Sequence, residues 1–384
     1  MRRKINRMTY KNIYLDEIGV RAEVTTFAPE GKTAEQHVML HAEPNGDLFE
    51  KQIERLQKAE EHIAALAPAL KKVFKRYLFS DIVNQAPLVP KDETCAMSFI
   101  QQPPLDGSKV AVWIYFQEAE SITKEGDTAI VRNNGYEHYW QMGKYETQGN
   151  SYTQTQMLLY NYEEMLDNHD MTIERNCIRT WFFVRDVDIL YKGMVEARKA
   201  NFFSQGMTEK THFIASTGIG GVPQDTQSIL VLDTYAIKGI ANDQQHYLYA
   251  PTHLNPTSEY GVTFERGAVV EYGDRKHVII SGTASINNKG EVVHAGDIVK
   301  QTHRMWENVE TLLKEGGATF NDVMQIIVYL RDPSDYSMVK KMFEEKFPQT
   351  PYIITLAPVC RPKWLVEMEC MAVIPNSTKE YRDF

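Results

Sequence analysis

Residues 301–332, QTHRMWENVETLLKEGGATFNDVMQIIVYLRD, hold an amphipathic helix, a glycine stop and an apolar strand in succession. Met305, Val309, Leu312 and Leu313 recur at helical spacing, Gly316-Gly317 ends the helix, and the run at 323–330 reads as a buried strand. The same plan occurs at 154–186 and, more faintly, at 52–81. Gln154-Thr155 matches Gln301-Thr302, Asn161 matches Asn308, Leu166 matches Leu313, and Val184-Arg185-Asp186 matches Leu330-Arg331-Asp332. Self-similarity of this kind marks tandem units. Each copy runs on into a late strand, at 109–116, 229–237 and 364–374.

Working outward from the third copy, 268–272 and 277–286 are rich in β-branched residues and flank Gly273-Asp274, which reads as a hairpin. Asn287-Asn288-Lys289-Gly290 is the next turn, Asp297 is placed to cap the helix, and 334–347 is a second helix with Met338, Met342 and Phe343 on its apolar side, stopped by Pro348. Strands at 352–356 and 365–373 complete the unit. The order gives an α+β module with helices on one face of a sheet. The other face must be buried elsewhere, and three modules around a pseudo-threefold axis would bury it, leaving clefts between neighbours. The expected architecture is therefore an intramolecular pseudo-trimer of modules at 1–118, 128–239 and 257–376, with joints at 118–127 and 239–256. The first module is the most degenerate, with opening strands expected at 22–27 and 37–42.

The bulk numbers agree with a globular protein: 384 residues, 43% hydrophobic and 24% charged. A net charge of −9 disfavours nucleic acid and anionic membranes as partners, since both need a basic footprint, so an anionic substrate requires a local arginine cluster. Cys95, Cys177, Cys360 and Cys370 form no CxxC pair, and the start Met-Arg-Arg-Lys-Ile-Asn-Arg has no apolar run behind it. The expectation is a cytoplasmic protein with reduced thiols. No stretch is apolar enough for a membrane helix, the eleven histidines have no metal-ligand spacing, and P-loop, GxGxxG and GxSxG motifs are absent.

The chemistry concentrates near the last strand. Side chains alternate across a strand, so Val366, Met368, Cys370 and Ala372 share one face while Leu365, Glu367, Glu369 and Met371 share the other. The second module has about Val231 and Asp233 in the corresponding places, so the first Glu is peculiar to the third copy. Two carboxylates so close, if shielded, raise at least one carboxyl pKa, and a Glu protonated near neutrality can act as a general acid. The alternative is a solvated face. Cys360-Arg361 precedes the strand, while Arg179, Tyr191 and Arg198 lie in the second module; together the arginines can form a cationic wall facing the Glu. Thr217-Gly218 and Ser281-Gly282-Thr283 sit in glycine-containing segments open to two readings, backbone anion binding or tight packing with a β-bulge.

Ile280-Ser281-Gly282-Thr283-Ala284-Ser285, Gly296-Asp297, Gln301, Asn308, Leu330-Arg331-Asp332 and Val366-Glu367-Met368-Glu369 resemble the YjgF/RidA (endoribonuclease L-PSP-like) family, whose chorismate mutase-like modules form trimers with ligand clefts between subunits. The tandem form, with Arg179-Thr180-Trp181, the stretch from Tyr191 to Arg198, Thr217-Gly218-Ile219-Gly220 and the run from Cys360 to Glu369, is similar to the chorismatases. That resemblance implies hydrolysis of chorismate, or a related anionic metabolite, to pyruvate and a ring acid without cofactor or metal. It implies Glu367 as general acid tuned by Glu369, Cys360 as an influence on product, and Arg179, Tyr191, Arg198, Thr217, Gly218, Ser281, Thr283 and Arg361 as substrate-binding groups. The chain departs from the chorismatase pattern after Ile286, where Asn287-Asn288-Lys289-Gly290 replaces a Gly-His pair. Two other readings stand beside it: the imine/enamine deaminase activity of short RidA-like proteins, whose strand arginine is missing from Pro351-Tyr352-Ile353-Ile354-Thr355, and a non-catalytic small-molecule-binding protein. The expected partner is a small anionic metabolite, with no nucleic acid and no membrane, and the chain is expected as a monomeric pseudo-trimer with further self-association open.

Overall fold

The computed structural model describes residues 8–384; Met1–Arg7, the basic start read above, lies outside the described residues. Three six-stranded sheets follow one another along the chain. The first contains β1 (Met8–Leu15), β2 (Val20–Phe27), β3 (Glu35–Ala42), α1 (Phe49–Leu66), β4 (Lys71–Phe79), α2 (Ile82–Gln85), β5 (Ala96–Gln101) and β6 (Val110–Gln117). The second contains β7 (Ser121–Glu125), β8 (Thr128–Asn133), β9 (Tyr136–Tyr145), α3 (Ser151–Asp167), α4 (Ile173–Asn176), β10 (Cys177–Val184), α5 (Val187–Ser204), β11 (Ala215–Gly220) and β12 (Leu230–Lys238). The third contains β13 (Gln245–Leu248), β14 (Gly267–Glu271), β15 (Arg275–Ala284), α6 (Ile298–Glu315), β16 (Val323–Leu330), α7 (Tyr336–Lys346), β17 (Tyr352–Leu356) and β18 (Val366–Pro375).

All three sheets have the same strand order, β1-β2-β3-β6-β4-β5 and its equivalents, with the β4–β5, β10–β11 and β16–β17 pairs parallel. This is the α+β class with three like modules that the repeats imply. The Asp297 side chain accepts the Lys300 N–H and caps α6, as its sequence position indicates. The opening strands β1, β7 and β13 are the elements the sequence hid, and β7 and β13 occupy the stretches read as joints. They are edge strands with short or broken apolar patterns: β1 alternates one inward residue with exposed polar ones, and no residue of β7 is fully buried.

The modules close head to tail. Gln101 at the end of β5 bridges to Val222 of the second module, Ile219 of β11 bridges to Val359 of the third, and Thr355 of β17 bridges back to Pro104 of the first. Each module's outer parallel strand is thus continued by the loop before the next module's last strand. One continuous apolar core spans all three sheets, including Trp113, Trp181, Tyr235, Ile279 and Met371, while α1, α3 and α5 cover outer faces with cores of their own. Among the described residues no helix is long and apolar enough to cross a membrane.

Charges are buried where modules meet. Arg76 lies 2.7 Å from Asp233, Arg179 2.8 Å from Glu369, and Arg275 2.6 Å from Glu35. Glu35 also receives His277 Nε2 at 2.9 Å and the Tyr115 hydroxyl at 3.1 Å. Removing one member of a buried pair costs about 3–5 kcal/mol; Arg275 keeps Asp274 at 2.8 Å, so Glu35→Ala should lose stability toward the lower end of that range in urea unfolding at pH 7. Burial alone would raise the Glu35 carboxyl, but the charges and hydrogen bonds of His277 and Arg275 outweigh it and hold the group well below the carboxylate range. A depressed folded value gives stability that is full above the unfolded value of ~4.3 and is lost as pH falls through the folded one. The wild-type protein should therefore lose stability below about pH 4 more steeply than Glu35→Ala; parallel pH profiles would remove this role for Glu35.

Candidate active site

Strand β18 decides the site because its alternation aims Glu367 and Glu369 at the second module. Counting back three residues from the matched aspartates gives Leu78, Phe183 and Tyr329, which pair across their sheets with Ala111, Val231 and Glu367. Counting back five gives Arg76, Trp181 and Ile327, which pair with Trp113, Asp233 and Glu369. The register confirms that a carboxylate at the Glu367 position belongs to the third copy only. Both glutamates are buried, Glu367 at 5% and Glu369 at 1% relative exposure, so the solvated-face alternative fails.

The two carboxylates have different surroundings. Glu369 is saturated with donors: Arg179 Nη2 at 2.8 Å, Trp181 Nε1 at 2.7 Å and the Thr217 hydroxyl. Glu367 instead faces a small cavity lined by Tyr191, Arg198, Ser216 and Gly218 from the second module and by Arg266, Gly282, Cys360, Arg361 and Trp364 from the third. Burial, and then the charge of Glu369, push the Glu367 carboxyl up to about 8, against the pull of Arg266 and Arg179. A protonated acid at neutral pH thus sits beside three arginines. Burial, and then Glu367, push the Cys360 thiol up to about 12, which keeps it a neutral wall rather than a thiolate nucleophile.

The structure brings together six of the residues singled out in the sequence: Glu367, Cys360, Tyr191, Arg198, Gly218 and Arg361 all line the cavity. Arg179, Thr217 and Glu369 lie behind it as a bonded set, so Arg179 positions the acid pair instead of forming part of the cavity wall. Ser281 and Thr283 face inward to the backbone: Ser281 Oγ donates to Glu265 O at 2.6 Å and accepts from Ser216 N at 3.0 Å, and Thr283 Oγ1 donates to Ser281 O at 2.9 Å. The Ser281 and Thr283 hydroxyls are thus taken up within the packed strands. The β15–β18 register shifts between Ile280 and Thr283, a β-bulge. Within it Gly282 N donates to Thr217 Oγ1 at 2.9 Å, while Gly220 N donates to Pro358 O at 2.9 Å. A Cβ on Gly282 would lie 2.2 Å from Glu367 Oε1, and one on Gly218 would lie 2.9 Å from the Tyr191 ring, so both glycines make room for the site's working side chains.

Arg266 is the residue that sequence reasoning missed. It precedes β14, is 4% exposed, and holds Asn255 through Nη2 at 3.1 and 3.3 Å. Its carbonyl accepts from Ser281 N at 3.0 Å, which fixes it beside the bulge. The signal was its antiparallel register with Ser281-Gly282, visible once the β14–β15 hairpin is extended by one residue. The cavity has about 30 Å³ of free space, roughly one water, so a ring-sized ligand enters only with a rearrangement of the lining. No group of His, Cys, Asp and Glu among the described residues is placed to hold a metal ion.

Comparison with known proteins agrees with this architecture. The endoribonuclease L-PSP family model matches residues 267–374. A RutC family protein of Pyrococcus abyssi is 37% identical over 98 residues, covering 25% of this chain and 76% of its own length. The 3-hydroxybenzoate synthase of Streptomyces hygroscopicus is 27% identical over 283 residues, 67% of this chain and 79% of that protein. The crystal structure of a chorismatase superposes with a TM-score of 0.63 at 17% identity, covering 79% of this chain and 93% of the other, a likeness of fold. The chain belongs to the YjgF/RidA (endoribonuclease L-PSP) family, in the long tandem form that resembles the chorismatases.

Proposed function

We propose that the cleft between the second and third modules cleaves the enolpyruvyl ether of chorismate, or of a related anionic metabolite, to pyruvate and a ring acid. The observation that carries this reading is the buried Glu367, with its carboxyl near 8, facing Arg198, Arg266 and Arg361 across one cavity. Kinship over most of the chain with a 3-hydroxybenzoate synthase supports it. Guanidinium groups pair with carboxylates in bidentate fashion, which suits a substrate bearing two of them. Tyr191, Gly218 and Cys360 shape the wall against the ring.

In the proposed step the Glu367 carboxyl delivers its proton to the terminal methylene carbon of the enol ether, leaving an oxocarbenium ion and a carboxylate. Water adds to the cationic carbon, its proton returning to the Glu367 carboxylate, and the resulting hemiketal splits into pyruvate and the hydroxylated ring acid. Capture by a ring substituent in place of water leads to a different ring product, and Cys360, on the cavity wall, is proposed to influence that choice. Glu369, anchored by Arg179, Trp181 and Thr217, keeps the acid's proton in place by its fixed negative charge. The reaction calls for no metal or organic cofactor. The chain acts in this reading as a monomeric, cytoplasmic pseudo-trimer, in keeping with four cysteines that form no disulfide. Imine deamination has less support: a 3-aminoacrylate deaminase of Acinetobacter baylyi is 32% identical, but over only 72 residues, 57% of that protein, and neither β11 nor β17 supplies a strand arginine.

The deciding experiment incubates the protein with chorismate, follows pyruvate in a coupled assay and identifies the ring acid by mass spectrometry. Glu367→Gln should reduce kcat by at least about 10²-fold with little change in substrate affinity; a fully active variant would sink the acid role. Arg198→Ala and Arg361→Ala should mainly raise KM. Because the acid must be protonated, kcat/KM should hold below pH 8 and fall above it.

A stability measurement tests the same carboxyl without substrate. Its folded value near 8 lies above the unfolded ~4.3, so the unfolded state binds fewer protons in that window and stability falls as pH rises through it. Glu367→Gln should therefore raise Tm at pH 8 by several degrees and hardly at all at pH 4. An equal change at both pH values would show that the carboxyl is ionised in the folded protein.

A further inference from the structure

The cleft between the third and first modules is the counterpart of the one just described. Helix α7 follows β16 as α5 follows β10, and Tyr352 and Ile354 of β17 take the places of Ser216 and Gly218 of β11, because Thr355 pairs with Tyr329 as Ile219 pairs with Phe183. Opposite them, His41 pairs with Ala111 in the way Ala284 pairs with Glu367. The ionisable group has therefore changed sides: the first cleft sets Glu against Ala, the second sets His against Ala. At the remaining interface the backbones close on one another: a Cβ on Gly143 of β9, at φ +73, would lie 2.7 Å from the Met97 carbonyl oxygen of β5, and Asp233 accepts from both Gly143 N and Ser98 Oγ.

The open counterpart has about 320 Å³ of free space, within the range of small-molecule sites. Its lining carries three carboxylates where the first cleft's carries one. There, Arg198, Arg266 and Arg361 face the single carboxyl of Glu367; here, Glu43, Asp106 and Glu344 share the wall with Arg21, Lys340 and His41. The cations are already engaged. Arg21 is bonded to Glu23, which also accepts Tyr352 N at 2.9 Å, and Lys340 Nζ lies 5.9 Å above the Tyr336 ring and 3.7 Å from Glu344. The wall is built and not incidental: His41 is 6% exposed, and its Nδ1 meets Asp106 Oδ2 at 2.8 Å. The other oxygen of Asp106 holds the Ser108 N–H and hydroxyl at 3.0 and 2.6 Å. Tyrosine faces beside surplus carboxylates are the chemistry that receives an ammonium group.

We propose that this cleft binds a small organic cation, a primary or quaternary amine, with its charge between Glu43 and Glu344 and its apolar part against Tyr336 and Tyr352. The Lys340 ammonium, seated on the same ring, competes for the position. This site is separate from the hydrolytic cleft and does not rest on the chemistry proposed there.

The test is titration calorimetry of the full chain with benzylamine, using benzyl alcohol as the neutral isostere. Benzylamine should bind at least tenfold tighter than the alcohol. Glu43→Gln/Glu344→Gln, at two exposed positions, should weaken the amine about tenfold, and Lys340→Ala should tighten it severalfold. Glu367→Gln should leave amine binding unchanged. No measurable amine binding, equal binding of the alcohol, or an affinity indifferent to both the double variant and Lys340→Ala would overturn the proposal; amine binding lost in Glu367→Gln would assign the ligand to the other cleft and overturn it equally.

Discussion

The ring depends on charges buried between modules. An arginine–carboxylate pair in water contributes little, but one removed from water is tolerated only when geometry and further hydrogen bonds satisfy both partners. Arg76–Asp233, Arg179–Glu369 and Arg275–Glu35 each join two different modules, so an unfolded or misdocked module leaves a stranded charge. Sheet faces that bear only apolar side chains would dock in many registers. Paired charges at fixed heights on facing strands allow one, and the three β-bridges that close the ring in the same sense are consistent with that single register.

The proposed acid is a by-product of the same arrangement. Trp181 and Arg76 occupy matched positions, and each holds a carboxylate of the next module, Glu369 and Asp233 respectively. The third module adds one residue to this structural scheme: Glu367, two positions along the strand from a carboxylate already bonded to Arg179 and Trp181. Its environment then follows from placement. Burial and the charge of Glu369 raise it, against the pull of Arg266 on the cavity wall and of Arg179, which is bonded to Glu369. A structural ion pair thus becomes the tuning charge of an acid.

The fold was legible because its repeat is written in residues that do structural work. Gln301 accepts from Leu365 N and donates to the Lys363 carbonyl, and Gln154 does the same with Ile229 N and Gln227 O; each ties a helix start to the entry of a last strand. The opening edge strands were not legible, because an edge strand with one solvated face needs few apolar residues and leaves little pattern. In the site, Glu367, Arg198, Tyr191 and Arg361 were legible through the family likeness and strand alternation. Arg179 was assigned to the ligand when its partner is Glu369, since a sequence gives no distance between two modules. Arg266 escaped because it lies one residue outside its strand, where register alone brings it to the cavity.

Fusion explains why the three interfaces differ. In a trimer of identical subunits a change at one cleft appears at all three, so an alanine-for-glutamate exchange that removes an acid removes it everywhere. In one chain the Glu367 position can be Ala111 in the first module and Val231 in the second without affecting the third. The interface between the first two modules used that freedom to pack backbone against backbone at Gly143 and Met97. The interface between the third and first kept its space but exchanged Ala284 for His41 and put Glu344 on the helix that corresponds to the one bearing Arg198. Where selection acts only to keep the ring closed, a surplus cavity is expected to fill with apolar side chains, because that adds burial at no cost in desolvated charge. A cavity that instead keeps the His41–Asp106 pair and four further charged side chains along its wall carries polar groups that closure of the ring does not require, and the proposed occupancy by a ligand of opposite charge would supply the reason for retaining them.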